Sequence, residues 1–227
     1  MADEYESLLR RRVRSPRAAA IAGIIYSILM GIIMISTYSA AKVKPENVTG
    51  EWLQDLSATA SVDVILIPYV GIAFLWFTGV VRDRLRHHQG SFFATLFLGS
   101  GIILVSLWFF WGTIFGAIMV TKDIIAVGSA GSGIYIFGFV LMDEIMGNYA
   151  LRIAGLYMTA IATLWTRTGL MPYWLTIVTY ILALGFLVAA ERIREARFIF
   201  PIWVLVVSSY ILILNYRRTH DLETEVI

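Results

Sequence analysis

Cysteine is missing from the chain altogether. That removes disulfides, thiol nucleophiles, iron–sulfur ligation and cysteine-based zinc sites together. Charge is scarce as well. Asp, Glu, Lys and Arg make up 15% of the residues, where a soluble domain carries about 25%. The net charge of +2 is too small and too clustered for a nucleic-acid binder. Histidine occurs three times, never inside a long apolar run, so a bis-histidine haem within the membrane lacks its ligands. A retinal-type Schiff base needs a lysine in a span, and Lys42, Lys44 and Lys122 lie outside the apolar runs. What remains is apolar: 59% hydrophobic residues and a mean hydropathy of +0.76. These values exclude a soluble, a disordered and a fibrous chain. They predict an all-α, polytopic transmembrane helix bundle in the cell membrane.

A helix crossing a bilayer core of about 30 Å needs roughly 20 mainly apolar residues. The apolar runs predict one transmembrane domain over residues 1–227, with spans at about 18–41, 59–81, 92–118, 146–165, 172–190 and 199–215. Ser15 and Pro16 suit the start of the first span, as cap and first helical residue. That run is too long for a signal-peptide core, so it is expected to be an uncleaved anchor. Pro68 lies inside the second span, where it removes a backbone hydrogen bond and predicts a kink. The kink is expected to turn Asp63 and Tyr69 toward the interior. Residues 121–167 allow two layouts. In one, Thr121–Gly133 is an outer loop and a long helix follows from about Ile134 to Trp165, giving six spans. In the alternative, 124–142 and 151–165 are separate spans, giving seven. Lys and Arg gather in cytoplasmic loops. Arg10, Arg11, Arg12, Arg14 and Arg17 therefore place the N-terminus in the cytoplasm in both layouts. Six spans would give an inner aromatic belt of Trp165, Tyr173, Trp174 and Tyr216, and an outer one of Trp52, Trp111 and Trp203.

Four segments carry a resemblance: FLWFTGVVRDRL at 74–85, FFATLFLGSG at 92–101, YALRIAGLYMTAIATLWTRTGLMPYWL at 149–175 and FPIWVLVVSSYIL at 200–212. In these the chain resembles a widespread group of bacterial multi-pass membrane proteins of similar length, to which no function is assigned. The resemblance implies that 149–165 ends one long helix and that the turn at 167–174 is cytoplasmic. That favours six spans with both termini inside. The chain departs from the group at Glu191–Arg197, which is mildly acidic there and holds three arginines here.

Arg152 is the sharpest single feature, because an arginine within a span costs about 2.5–3.5 kcal/mol to insert and usually faces protein or water. Glu144, Asn148 and Arg152 are four apart and share one face of a regular helix. With Asp143 and with Asp63 of the second span they form a candidate substrate or ion pathway, Asp63 being the expected direct partner of Arg152. The bland alternative is a snorkelling arginine or a structural ion pair. Gly112 and Gly116 form a GxxxG pair for close helix approach, within the chain or against another copy. His87 and His88, and His220 with Glu223, lack converging ligands, so no metal site and no cofactor is expected. The glycine- and serine-rich run at 128–133 lacks the Lys-Ser/Thr of a phosphate loop. Asn47-Val48-Thr49 matches a glycosylation sequon, and the Tyr5–Val13 stripe reads as a juxtamembrane anchor. No serine has a histidine base within the bundle. Two readings follow. The first is a non-enzymatic accessory subunit or binder of a lipophilic ligand. The second is a small transporter or channel around Arg152. The expected partners are the lipid bilayer and a second copy or membrane-complex subunit, with no nucleic acid.

Overall fold

A computed structural model describes residues 16–40, 50–84, 92–124, 129–189 and 194–224. Every described segment is helical or a short turn. In lipid no water satisfies the backbone, so a helix, which closes its own N–H and C=O groups, is the conformation these apolar runs must adopt. The helices are α1 (Pro16–Ala40), α2 (Gly50–Arg84), α3 (Phe92–Ile124), α4 (Ser129–Glu144), α5 (Leu151–Thr168), α6 (Tyr173–Ala189) and α7 (Ile199–Thr224). A single π-helical stretch, Ile145–Ala150, joins α4 to α5 without a turn, and a 3₁₀ segment, Arg194–Phe198, leads into α7. Residues 129–168 are therefore one continuous helical rod. The seven-span layout needs a reversal inside it and is excluded. Among the described residues, five stretches are long and apolar enough to cross a membrane, and Tyr173–Val188 is a shorter apolar helix.

Two boundaries differ from expectation. The helix predicted to start at Ile134 starts at Ser129, and α3 runs on to Ile124. Most of the loop expected at 121–133 is thus helical, because Ser, Ala and Gly in sequence still propagate a helix that tertiary contacts hold. Pro68 lies inside an unbroken α2. Asp63 is buried as expected, but Tyr69 is exposed. Six residues at 100° each carry Tyr69 well off the face of Asp63.

The helices form a ring. α1 lies between α2 and α7, α2 packs on α3, α3 on α5, and α5 on α6. The indole Nε1 of Trp203 on α7 donates to Oγ1 of Thr179 on α6 at 2.9 Å and links the remaining neighbours. Aromatic rings fill the middle. Tyr26 of α1 stacks on Trp108 of α3 at 5.3 Å, and Phe74 of α2 meets Trp108 edge-on at 5.0 Å. Tyr157 of α5 lies 4.5 Å from Phe97 and 6.0 Å from Phe200 of α7. Thr78 and Tyr157 share a buried hydroxyl–hydroxyl bond of 3.0 Å. Such ring pairs are worth about 0.5–1.5 kcal/mol each beyond their burial. Trp111, Trp165 and Trp203 are buried among the helices, whereas Tyr173, Trp174 and Tyr216 are exposed.

Glycines set the closest approaches. A Cβ on Gly112 would meet Ile67 Cδ1 at 2.6 Å, and one on Gly116 would touch Val64 at 3.6 Å. The GxxxG pair is therefore spent on the α2–α3 contact inside the chain. Gly169 closes α5 in the left-handed region at φ 62°, with its N–H on the Trp165 carbonyl at 2.9 Å. At Gly155 a Cβ would sit 2.9 Å from the Ala183 carbonyl oxygen of α6, a backbone atom that cannot swing away. Gly155→Val should destabilise by about 1–3 kcal/mol through overpacking. Gly185→Ala on α6, where nothing lies within 4 Å, should be neutral or slightly stabilising. Thermal unfolding in detergent compares the two, and equal midpoints would contradict a tight α5–α6 seam.

Candidate functional site: a roofed apolar cleft

The polar residues singled out from the sequence separate into three places. Asp63 is 1% exposed on α2 and accepts a hydrogen bond of 2.6 Å from Ser36 Oγ of α1. The hydrogen bond that Asp63 makes is to Ser36 on α1, and not to the Arg152 expected from the sequence. Glu144 and Asn148 do come together, the amide Nδ2 donating to Glu144 Oε2 at 3.2 Å. Arg152 follows the π stretch, partly buried on α5 and not without a partner.

One arginine that meets a carboxylate is Arg197. Its Nη2 lies 2.7 Å from Asp143 Oδ1 and 3.3 Å from the Asp143 carbonyl oxygen. The pair joins the 3₁₀ segment before α7 to the end of α4. The arginine side chain is 21% exposed and the aspartate 48%. Gly147 makes the approach feasible, since a Cβ there would stand 2.5 Å from Arg197 Nη2. The Nε of Arg197 is buried and has no hydrogen-bond partner. Sequence reasoning passed over this residue because it was read as part of an outer loop. The available signal was the run of arginines at 191–197, where the resembling group is acidic.

Arg197 forms part of the wall of an apolar cleft. Met30, Met34 and Thr37 of α1, Ile67 and Val70 of α2, and Trp108 and Trp111 of α3 line it, with Met146 of the π stretch and Phe198. Its cavity measures about 50 Å³, and the whole cleft out to its open mouth about 620 Å³. A second, smaller cavity of about 20 Å³ shares Met30, Met34, Trp108, Met146 and Arg197 as walls and is also lined by Tyr26, Ala154 and Phe200. Along α1 the combined lining from Tyr26 to Thr37 is about 16 Å long at 1.5 Å per residue. Tyr26 is 0% exposed and its hydroxyl has no partner; Thr37 Oγ1 is likewise buried and unpartnered. Arg152, Asp63, Asp143, Glu144 and Asn148 line neither cavity. Methionine and tryptophan give the walls polarisable, adaptable surfaces that fit apolar guests of irregular shape.

Among the described residues no group of three or more His, Asp or Glu side chains converges as a metal site would require. His87, His88 and the Asn47 sequon lie outside the described residues, as do the side chains of His220 and Glu223 and the segment Tyr5–Val13.

Two substitutions test this geometry. Ser36→Ala leaves the buried Asp63 carboxyl without its donor and should cost about 1–3 kcal/mol in detergent unfolding; no loss would show that Ser36 is dispensable. In a double-mutant cycle, Asp143→Asn and Arg197→Gln should couple by no more than about 1 kcal/mol, because the aspartate is half in solvent. A coupling of several kcal/mol would mean a fully desolvated pair. Compared with known proteins, the chain matches no family model, no curated protein and no solved structure, so the argument for its function rests on the cleft.

Proposed function

We propose that this chain is a non-enzymatic, multi-pass protein of the cell membrane that holds one lipophilic ligand in the cleft between α1, α2 and α3. The observation that carries this reading is the wall itself: Met30, Met34, Ile67, Val70, Trp108 and Trp111 on three helices, with Arg197 as the one charged side chain. Ligand pockets combine a mostly apolar lining with a few placed polar groups. A hydroxyl nucleophile needs a base beside it, and among the described residues that line the cleft Thr37 has no histidine, carboxylate or lysine with it. The second reading is transport centred on Arg152; the cleft favours the first, because Arg152 lines neither cavity.

The orientation that suits this reading has both termini in the cytoplasm, as six crossings and the arginine-rich N-terminal segment favour. The cleft then opens in the outer half of the bundle. A fluorescent protein that matures only in the cytoplasm, fused after Ile227, should be bright. A dark fusion that is fully expressed would overturn the orientation.

Ligand binding is tested by tryptophan quenching. A terminally brominated dodecanol, titrated into the purified protein, should quench emission saturably, since Trp108 and Trp111 line the cleft. Val70→Phe and Met34→Phe narrow the same space and should weaken that saturable component by about tenfold or more. Quenching that is unsaturable, or unchanged in both variants, would place the probe at the lipid-facing surface and contradict a ligand site.

A further inference from the structure

We infer that the ligand is a single-chain amphiphile with an acidic head, bound by Arg197, and that Asp143 is the internal anion it displaces. The inference rests on the cleft being a ligand site and adds the chemical class of the occupant. Three observations converge. Arg197 brings a permanent cation to an otherwise apolar wall and borders both cavities. Its guanidinium is only half used: Nη2 serves Asp143, while the buried Nε has no partner. An arginine presents a planar fork of donors that matches a carboxylate with two parallel hydrogen bonds, so an unfilled Nε is the missing half of such a site. Gly147 leaves the backbone of the π stretch bare where the guanidinium lies, so the fork can rest on it.

The shape of the space selects one chain. The lining on α1 extends about 16 Å from Thr37 to Tyr26, yet the cavities along it are small, at about 50 and 20 Å³. A long, thin guest fits where a ring system or a two-chain lipid would not. An acid bound with its head at Arg197 would lay its chain past Met34, Met30 and Trp108 toward Tyr26. Asp143 is half exposed, so releasing it to water costs little, and exchange of one carboxylate for another keeps the guanidinium neutralised throughout.

The test uses two probes on the intact protein, brominated dodecanoate and the matching brominated dodecanol, each followed by tryptophan quenching. Dodecanoate should bind the wild type about tenfold more tightly than the alcohol. Arg197→Gln should remove that preference, so that acid and alcohol bind alike within about twofold. Arg197→Lys, which keeps the charge and loses the fork, should recover only part of it. Asp143→Asn removes the competing anion and should tighten dodecanoate severalfold without changing the alcohol. Equal binding of acid and alcohol in the wild type overturns the acidic head and leaves the cleft reading standing. An acid preference that survives Arg197→Gln, with no tightening in Asp143→Asn, places the anion elsewhere and overturns it too. Should Arg197→Gln fail to fold, seen as lost binding of both probes, the Asp143→Asn comparison decides. Saturable binding of neither probe to the wild type refutes the cleft reading itself.

Discussion

The rings of Tyr26, Phe74, Trp108, Tyr157 and Phe200 are the contact on which the rest of the bundle depends. They come from α1, α2, α3, α5 and α7, and their centroids lie 4.9 to 6.4 Å apart in a connected set. In a membrane apolar surface gains little from leaving lipid for protein, so helix association must come from close packing and from hydrogen bonds that lipid cannot offer. Flat, rigid rings supply the first at low entropic cost. The Thr78–Tyr157 and Trp203–Thr179 bonds supply the second. Where the rings end, toward Thr37 and Arg197, the packing opens and the walls turn to methionine and aliphatic side chains. The cleft is the space left where a rigid aromatic centre meets a more adaptable end.

The π stretch at 145–150 bears on this arrangement in a specific way. It buries Ile145, Met146, Gly147 and Ala150, puts Met146 into the cleft wall and presents Gly147 to Arg197. It borders the pair of Arg197 with Asp143, since Asp143 lies just before it and Gly147 within it. Single π turns inside α-helices are often found at functional sites, and this one meets the wall of the cavity.

The architecture was legible because bilayer thickness acts on composition directly: uninterrupted apolar runs such as Ala18–Thr37 or Phe92–Ile118 have one solution in lipid. The close α2–α3 approach was legible for the same kind of reason, since Gly112 and Gly116 carry a spacing with one common use. The site was much less so. Asp63 could be marked as buried and polar, but its partner Ser36 lies 27 positions away on another helix, and helix order around the ring has no local signature. Arg197 was hidden by its neighbourhood, a short charged connection that looks solvated in sequence. Nothing in Ile145–Ala150 announces a π turn. Trp111, Trp165 and Trp203 were assigned to the interfaces by depth, and their burial reflects which helices meet there.

The central claim is that a chain with an acidic head lies inside the protein, beneath Arg197, and not in the surrounding lipid annulus. Anomalous scattering from crystals grown with terminally brominated dodecanoate locates the bromine directly. The account predicts one strong peak deep in the cleft, among Met30, Trp108 and Tyr26, with carboxylate density on the Arg197 guanidinium. Bromine peaks confined to the outer, lipid-facing surfaces of the helices, with the cleft unfilled, would contradict it.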